Sequence, residues 1–356
     1  MSATIIGVDP HKRSHTAVVL DDCEEIAAQL RVTASPHQVD QLLGWAPATV
    51  QRLWAIENAN GLGRLLAQQL VARGEVVIDV PATLSSRARK LSGHSGRKTD
   101  EHDARSVAIA AGHNHGLRRV SIENVTVAIG LLLDRRWQLV AQRQPTICQL
   151  HALLTELVPA GAATHLTSTK AAALLRKITP SSIVELERKL VARELLEDWR
   201  WLDRRIPAAK QRLSDALTAY GTTLTDIHGI GEIGAATVLS IVHDPARFPS
   251  RGHFAAFNGT APLEASSGDV RRHRLSRRGN RQLNKVIHVA ARTQIRRDGP
   301  GRTYYERKLS EGKSKMEALR ALKRQLSDVV YRRLLTDDRQ RQAVQGGQAG
   351  TRPKSA

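Results

Sequence analysis

Four carboxylates stand where their type and spacing could do chemistry. Asp9 closes the apolar run Thr4–Val8, and Glu57 closes a second run, Gln51–Ile56. Asp100 and Asp103 lie three residues apart in "GRKTDEHDAR", residues Gly96–Arg105. An i, i+3 pair shares one helical face. Carboxylates that converge raise one another's pKa unless cations sit among them. An oxygen donor set suits Mg²⁺ or Mn²⁺ better than zinc. Two such ions, about 4 Å apart, can activate an attacking oxygen and stabilise a leaving one in phosphodiester chemistry. Each residue also has a plainer use. Asp9 could end a strand in a turn, and Glu57 could be an exposed turn residue. Thr99 makes a good N-cap, and acids in the next turn suit the helix dipole. The metal reading wins on the four taken jointly, and only if the elements between them bring them together.

Those elements read as α/β over the first 110 residues. Thr4–Val8, His15–Leu20 and Glu25–Val32 are three strands joined by short polar turns, which favours antiparallel neighbours. "SPHQVDQLLGWA" opens with a Ser cap and reads as a helix. Gln51–Ile56 is a fourth strand, "GLGRLLAQQLVARG" a helix stopped at Gly74, and Glu75–Val80 a fifth strand before Pro81. Three strands, helix, strand, helix, strand, helix is the order of the RNase H-like fold. In that fold the first and fourth strands lie side by side and parallel, so Asp9 and Glu57 would be neighbours.

From 105 to about 220 the chain reads as mostly helical. Ile183, Leu186, Leu190, Trp199, Leu202, Ile206, Leu213 and Leu217 recur mainly at spacings of three and four, with Leu195–Leu196 bridging the gap. The stripe suits a helical bundle or coiled-coil arm, as internal core or as a dimer seam, and Pro207 should interrupt or bend it. "HGIGEIGAA" (His228–Ala236) reads as the turn of a helix-hairpin-helix element. Gly229 and Gly231 there would let backbone N–H groups face a phosphate; an ordinary interhelical turn is the plainer reading. In "PLEASSGDVRRHRLSRRGNRQLNK", Ser266 and Ser267 precede Gly268 and, from spacing alone, form a loop. Arg271, Arg272, Arg274, Arg277, Arg278, Arg281 and Lys285 follow and suit phosphate contacts, which position a nucleic acid without reading its sequence. An amphipathic helix runs through Met316, Leu319, Leu322, Leu326 and Val330, and the polar, Gly-rich end suggests disorder from 337 to 356.

The 356 residues carry a net charge of +20, unevenly spread. Residues 1–110 hold 12 Lys/Arg and 12 Asp/Glu, 111–220 hold 16 and 10, and 221–356 hold 26 and 12. A neutral first part and a strongly basic last part imply division of labour, the last part holding a polyanion such as nucleic acid. Two cysteines, Cys23 and Cys148, suggest no disulfide framework. No run suits a membrane span and the start lacks signal-peptide zones, so a cytoplasmic, nucleoid-associated protein is expected. The expected parts are 1–115, α/β; 116–221, helical or coiled-coil; 222–336, mostly α with the serines and the basic tract; and the tail.

Taken together, "GVDPHK", "AIE", "KTDEHDA", "GIGEIGAA" and "APLEASSG…LSRRGNRQLNK" resemble the DEDD transposases of insertion sequences, which pair a RuvC-like domain with a C-terminal serine domain and are related to pilin-gene invertases. The resemblance runs in order from about residue 4 to 335. It implies a recombinase that inserts and excises its own element on donor and target double-stranded DNA. Asp9, Glu57, Asp100 and Asp103 would hold Mg²⁺ or Mn²⁺. Ser267, or its neighbour Ser266, would be the nucleophile of a phosphoserine link to a DNA end. It also implies a structured guide RNA and a homo-oligomer, a dimer or dimer of dimers, with the site shared between protomers. The rivals are a RuvC-like structure-specific endonuclease that uses water, and a nucleic-acid-binding protein with a decayed carboxylate site. Asn58, after Glu57, stands where a second acid would strengthen metal binding.

Overall fold

The computed structural model describes residues 4–48, 51–91, 99–264, 273–274 and 279–349. Ser266, Ser267, Arg271, Arg272, Arg277 and Arg278 lie outside the described residues, and of Arg274 only the backbone is described. The chain divides into two units, Met1–Glu123 and Asn124–Ala356.

The first unit is built on a mixed sheet. Its strands are β1 (Thr4–Pro10), β2 (Ser14–Leu20), β3 (Ile26–Thr33), β4 (Arg52–Glu57), β5 (Val76–Val80) and the two-residue β6 (Arg118–Arg119). Their spatial order is β3-β2-β1-β4-β5-β6. β1 pairs antiparallel with β2 and parallel with β4, in a register that sets Val8 beside Ile56. One step further along, Asp9 and Glu57 stand at the same end of their neighbouring strands. This mixed sheet with helices is consistent with the RNase H-like expectation.

β1 and β4 are apolar along their length because both faces are covered. Ile6, Val8, Trp54 and Ile56 pack into one core with Leu66 and Leu70 of helix α2 (Arg64–Ala72) and Leu42 of α1 (Gln38–Trp45). Ala55, Ile78 and Val80 face a second core with Val107 and Ala111 of α4 (Asp100–Gly112). Between β5 and α4 in sequence runs α3 (Ala82–Leu91), which buries Ser85 and packs the partly buried Leu84 and Ala88 against the second core.

One glycine sets how close α4 comes to the sheet. A Cβ on Gly7 would lie 2.2 Å from the Ala104 carbonyl oxygen and 2.8 Å from the Ala108 Cβ. Only a residue without a side chain lets α4 lie directly across β1. Thr99 caps α4, its hydroxyl accepting from the His102 N–H, as expected of a Thr before a run of acids.

The second unit is helical. α5 (Val125–Leu157) packs along α7 (Ile183–Tyr220), with α6 (Ser168–Lys177) beside them. α8 (Glu232–Val242), α9 (Arg251–Phe257), α10 (Arg281–Ile295), α11 (Pro300–Ser310) and α12 (Lys315–Ala349) follow, together with the short pair β7 (Leu263–Glu264) and β8 (His273–Arg274). Trp199, Leu202, Leu213 and Leu217 of the apolar stripe are buried, whereas Ile183, Leu186 and Leu190 are exposed.

Three expectations meet a different structure. α7 runs unbroken through Pro207; the proline is exposed, so the carbonyl it leaves unpaired four residues earlier can turn to water. The element before the "GIG" turn is a three-residue 3₁₀ turn, Leu224–Asp226, and not a full helix of a helix-hairpin-helix. The chain there is held by Asp337, whose carboxylate accepts from the Thr223 N–H at 2.9 Å and the Thr222 hydroxyl at 3.0 Å. That same Asp337 is 2% exposed, so disorder does not begin at 337: α12 continues to Ala349, with Asp337 tied inward by partners that composition does not reveal.

Candidate metal centre

The four carboxylates come from three elements of the first unit. Asp9 is the last residue but one of β1, Glu57 ends β4, and Asp100 and Asp103 occupy the first turn of α4. Parallel pairing of β1 with β4 brings the first two together, and the close approach at Gly7 brings the α4 pair over them.

Asp9 shows the consequence. It is 5% exposed, and its Oδ2 is buried without a hydrogen-bond partner. Burial raises its pKa to about 6, against the opposing pull of His11 and with further upward pressure from Glu57, Asp103 and Asp100. Three further acids therefore act on Asp9. A buried carboxylate oxygen without a hydrogen-bond partner among the described residues, with three further carboxylates acting on it, is a poor arrangement for the bare protein and a good one around a divalent cation. The residues fit a divalent metal ion.

Basic and hydroxyl groups balance the cluster. His11 Nδ1 lies 3.5 Å from Asp9 Oδ2, and its Nε2 lies 3.7 Å from Asp100 Oδ1. Ligand atoms of Asp9, His11 and Asp100 all fall within 4.8 Å of one another. Arg31 Nη1 is 3.3 Å from Asp100 Oδ2. Arg89 of α3 pairs with Asp103, and the Ser85 hydroxyl donates to Glu57.

Composition and motif single out the acids, and miss these partners. His11 had a signal: two residues beyond Asp9, it shares a face with it if the strand period continues. Ser85 and Arg89 had none, because α3 itself was not legible. Asn58 adopts a left-handed conformation at φ 48° with its backbone N–H donating to Val80 O at 2.8 Å. It serves the turn after β4, a conformation asparagine tolerates well.

In the second unit Gly229 also sits at a positive φ, 88°, where a Cβ would come 2.8 Å from the Ala290 Cα of α10. That glycine is explained by helix packing. Gly231 caps α8 with open space around it. Arg281 and Lys285 lie exposed on α10.

Two family models match the chain in order. Residues 6–159 match a DEDD transposase model described as Transposase, and residues 221–306 match one described as Transposase IS116/IS110/IS902 family. The chain belongs to this transposase family. The 44.8 kDa protein of insertion element IS116 from Streptomyces clavuligerus is 27% identical over 92% of this chain and 93% of its own length. The 42 kDa protein of insertion element IS900 from Mycobacterium paratuberculosis is 26% identical over 91% and 94%. The 43.6 kDa protein of insertion element IS110 from Streptomyces coelicolor is 28% identical over 66% and 70%. Members of the family act in insertion-sequence transposition, which makes the transposase a DNA-cleaving and strand-transferring enzyme. The DEDD match spans Asp9, Glu57, Asp100 and Asp103. Among the described residues no helix is long and apolar enough to cross a membrane.

Proposed function

We propose that this transposase inserts and excises its own insertion sequence by metal-assisted serine attack on DNA phosphodiesters. The observation that carries the metal part is the buried Asp9 Oδ2, which has no hydrogen-bond partner among the described residues, grouped with ligand atoms of His11 and Asp100 within 4.8 Å and with its pKa raised further by Glu57 and Asp103. Those four residues would hold the ions, with His11 at the rim. Bound Mg²⁺ or Mn²⁺ would supply Lewis-acid stabilisation of charge building on the phosphate. Ser85 holds Glu57, and Arg89 and Arg31 hold the α4 acids, so the carboxylates keep their orientation.

Ser267, with Ser266 as the neighbouring candidate, is assigned the nucleophile on the sequence motif before Gly268. Its Oγ–phosphorus bond forms as one P–O ester bond of the DNA breaks. The serine proton ends on the departing DNA hydroxyl. The phosphoserine link conserves the ester, so the reverse step rejoins DNA without another energy source. Gly231, Arg271, Arg272, Arg274, Arg277, Arg278, Arg281 and Lys285 are assigned to phosphates of donor and target duplexes, and Gly229 keeps that assignment beside its packing role. A structured guide RNA, a homo-oligomeric assembly, and the division of residues 116–221 as linker from 222–336 as the serine part belong to the same proposal. So does its place in the cytoplasm at the nucleoid.

A second reading is a metal-dependent nuclease that uses water. It is favoured by one observation, that the whole carboxylate cluster lies within Met1–Glu123. Cleavage of an element-end duplex in Mg²⁺ tests the shared part. Asp9→Asn and Asp103→Ala are expected to lower the rate by at least about a hundredfold, as loss of a charge-stabilising group does. Undiminished cleavage would overturn both readings.

A further inference from the structure

Helix α10 carries Arg281, Lys285, His288 and Arg292 at spacings of four, three and four, and no acidic residue. These spacings put all four on one face. Among the described residues no ion pair ties Arg281, Lys285 or Arg292 to a carboxylate.

Behind this face α12 presents Lys323, a lysine only 7% exposed. Its ammonium donates to Asn284 Oδ1 at 2.7 Å. Among the described residues no carboxylate comes within ion-pair distance of it. An ammonium has three donors, so two remain for another ligand. Burial lowers the pKa of Lys323. Burial lowers that of His288 as well, and the charges of Lys323 and Arg292 lower it further. Cationic groups therefore crowd together here without an anion. A buried charge left in this way costs stability unless something pairs with it.

The lysine is also tied to the root of the serine-bearing stretch. Asn284 Nδ2 donates to the Asn258 carbonyl at 2.9 Å. Asn258, fully buried, donates through Nδ2 to Ser327 Oγ at 2.8 Å, and its Oδ1 accepts from the Thr260 N–H at 3.1 Å. The returning chain is pinned by the Asn280 N–H to the Phe257 carbonyl at 2.7 Å. A Cβ on Gly279 would lie 2.3 Å from Gly259 Cα, so both ends of the stretch meet at this network.

We propose that Lys323, held by Asn284 and flanked by His288 and Arg292, is a phosphate site that grips one backbone phosphate of duplex DNA. The exposed Arg281, Lys285 and Arg292 guide the backbone along α10, and Lys323 fixes its register against the root of the serine-bearing stretch. The inference rests on the reading that this second unit holds DNA, and not on the identity of the nucleophile.

The test uses the full-length protein and a 30-base-pair element-end duplex in EDTA, with affinity measured across NaCl concentrations for wild type, Lys323→Met and Lys323→Gln. Both variants are expected to melt no lower than wild type, since a desolvated charge has gone. Both should lose about 0.9 from the slope of log affinity against log salt, the signature of one lost phosphate contact. The glutamine variant keeps a donor for Asn284 and carries the test if the methionine variant does not fold. Unchanged slopes overturn the proposal, and a melting loss in Lys323→Met that Lys323→Gln restores, with slopes unchanged, assigns the lysine to scaffolding. A wild type that binds no DNA overturns it too. A wild type that binds DNA yet forms no covalent adduct counts against serine attack and leaves this site standing.

Discussion

At the scale of single residues, Asp9 concentrates the physics of the first unit. Burial raises its pKa from the ordinary carboxylate range to about 6, so the folded chain binds a proton more tightly than the unfolded one. Stability of the metal-free protein should therefore fall as pH rises from about 4 to about 6, then level off for this group. Urea unfolding in EDTA across that range checks the sign. Asp9→Asn removes the buried charge and should raise stability at pH 7 by about 1–3 kcal/mol in EDTA while abolishing Mn²⁺ binding. Protons and metal compete for the same oxygens, so apparent Mn²⁺ affinity should weaken by about tenfold per pH unit below about 6. Calorimetric titration at pH 5, 6 and 7 would show it. The acids themselves were legible, because a carboxylate at the end of an apolar run or after a Thr cap is visible in the sequence. Their partners were not. Ser85, Arg89 and Arg31 reach the cluster through tertiary placement, and nothing local distinguishes them from solvated surface residues.

At the scale of elements, Gly7 and Asp337 decide the most. Gly7→Ala places a methyl against the Ala104 carbonyl and must push α4 off β1. It should cost about 1–3 kcal/mol by overpacking, and weaken Mn²⁺ binding far more than its small size suggests, since Asp100 and Asp103 ride on α4. A Gly7→Ala protein with native Mn²⁺ affinity would contradict this geometry. Asp337→Ala should cost about 2 kcal/mol, because Thr222 and Thr223 lose charge-assisted hydrogen bonds. Thermal melting measures it. Five of the six described strands of the first unit were legible to within a residue or two, because each is a short run between turn residues; the two-residue β6 was not. α3 was not, because its apolar stripe is only Leu84, Ala88 and Leu91, and Leu91 is exposed. The 3₁₀ turn before Gly229 was not legible either, since two glycines around an isoleucine look alike in a hairpin and in a packed corner. The structure uses Gly229 to admit Ala290 of α10.

At the scale of the whole molecule, charge and chemistry are divided. Residues 124–356 hold 40 Lys/Arg against 21 Asp/Glu, while residues 1–123 are nearly neutral with 14 against 13. DNA affinity should fall by about 10³ or more between 50 and 200 mM NaCl. Asp9→Asn should leave that salt slope unchanged, because its charge lies in the nearly neutral unit. The division of charge was readable from composition alone. Which serine acts is readable only through the motif, as hydroxyls before a glycine are common in loops. The central claim, serine attack assisted by metal, is tested most directly on a denaturing gel. Purified protein is incubated with its element's flanking transcript, donor and target DNA, and Mg²⁺, for wild type, Ser267→Ala and Asp103→Ala. The account expects a covalent protein–DNA adduct in wild type that disappears in both variants; cut DNA without an adduct, unaffected by Ser267→Ala, would contradict it.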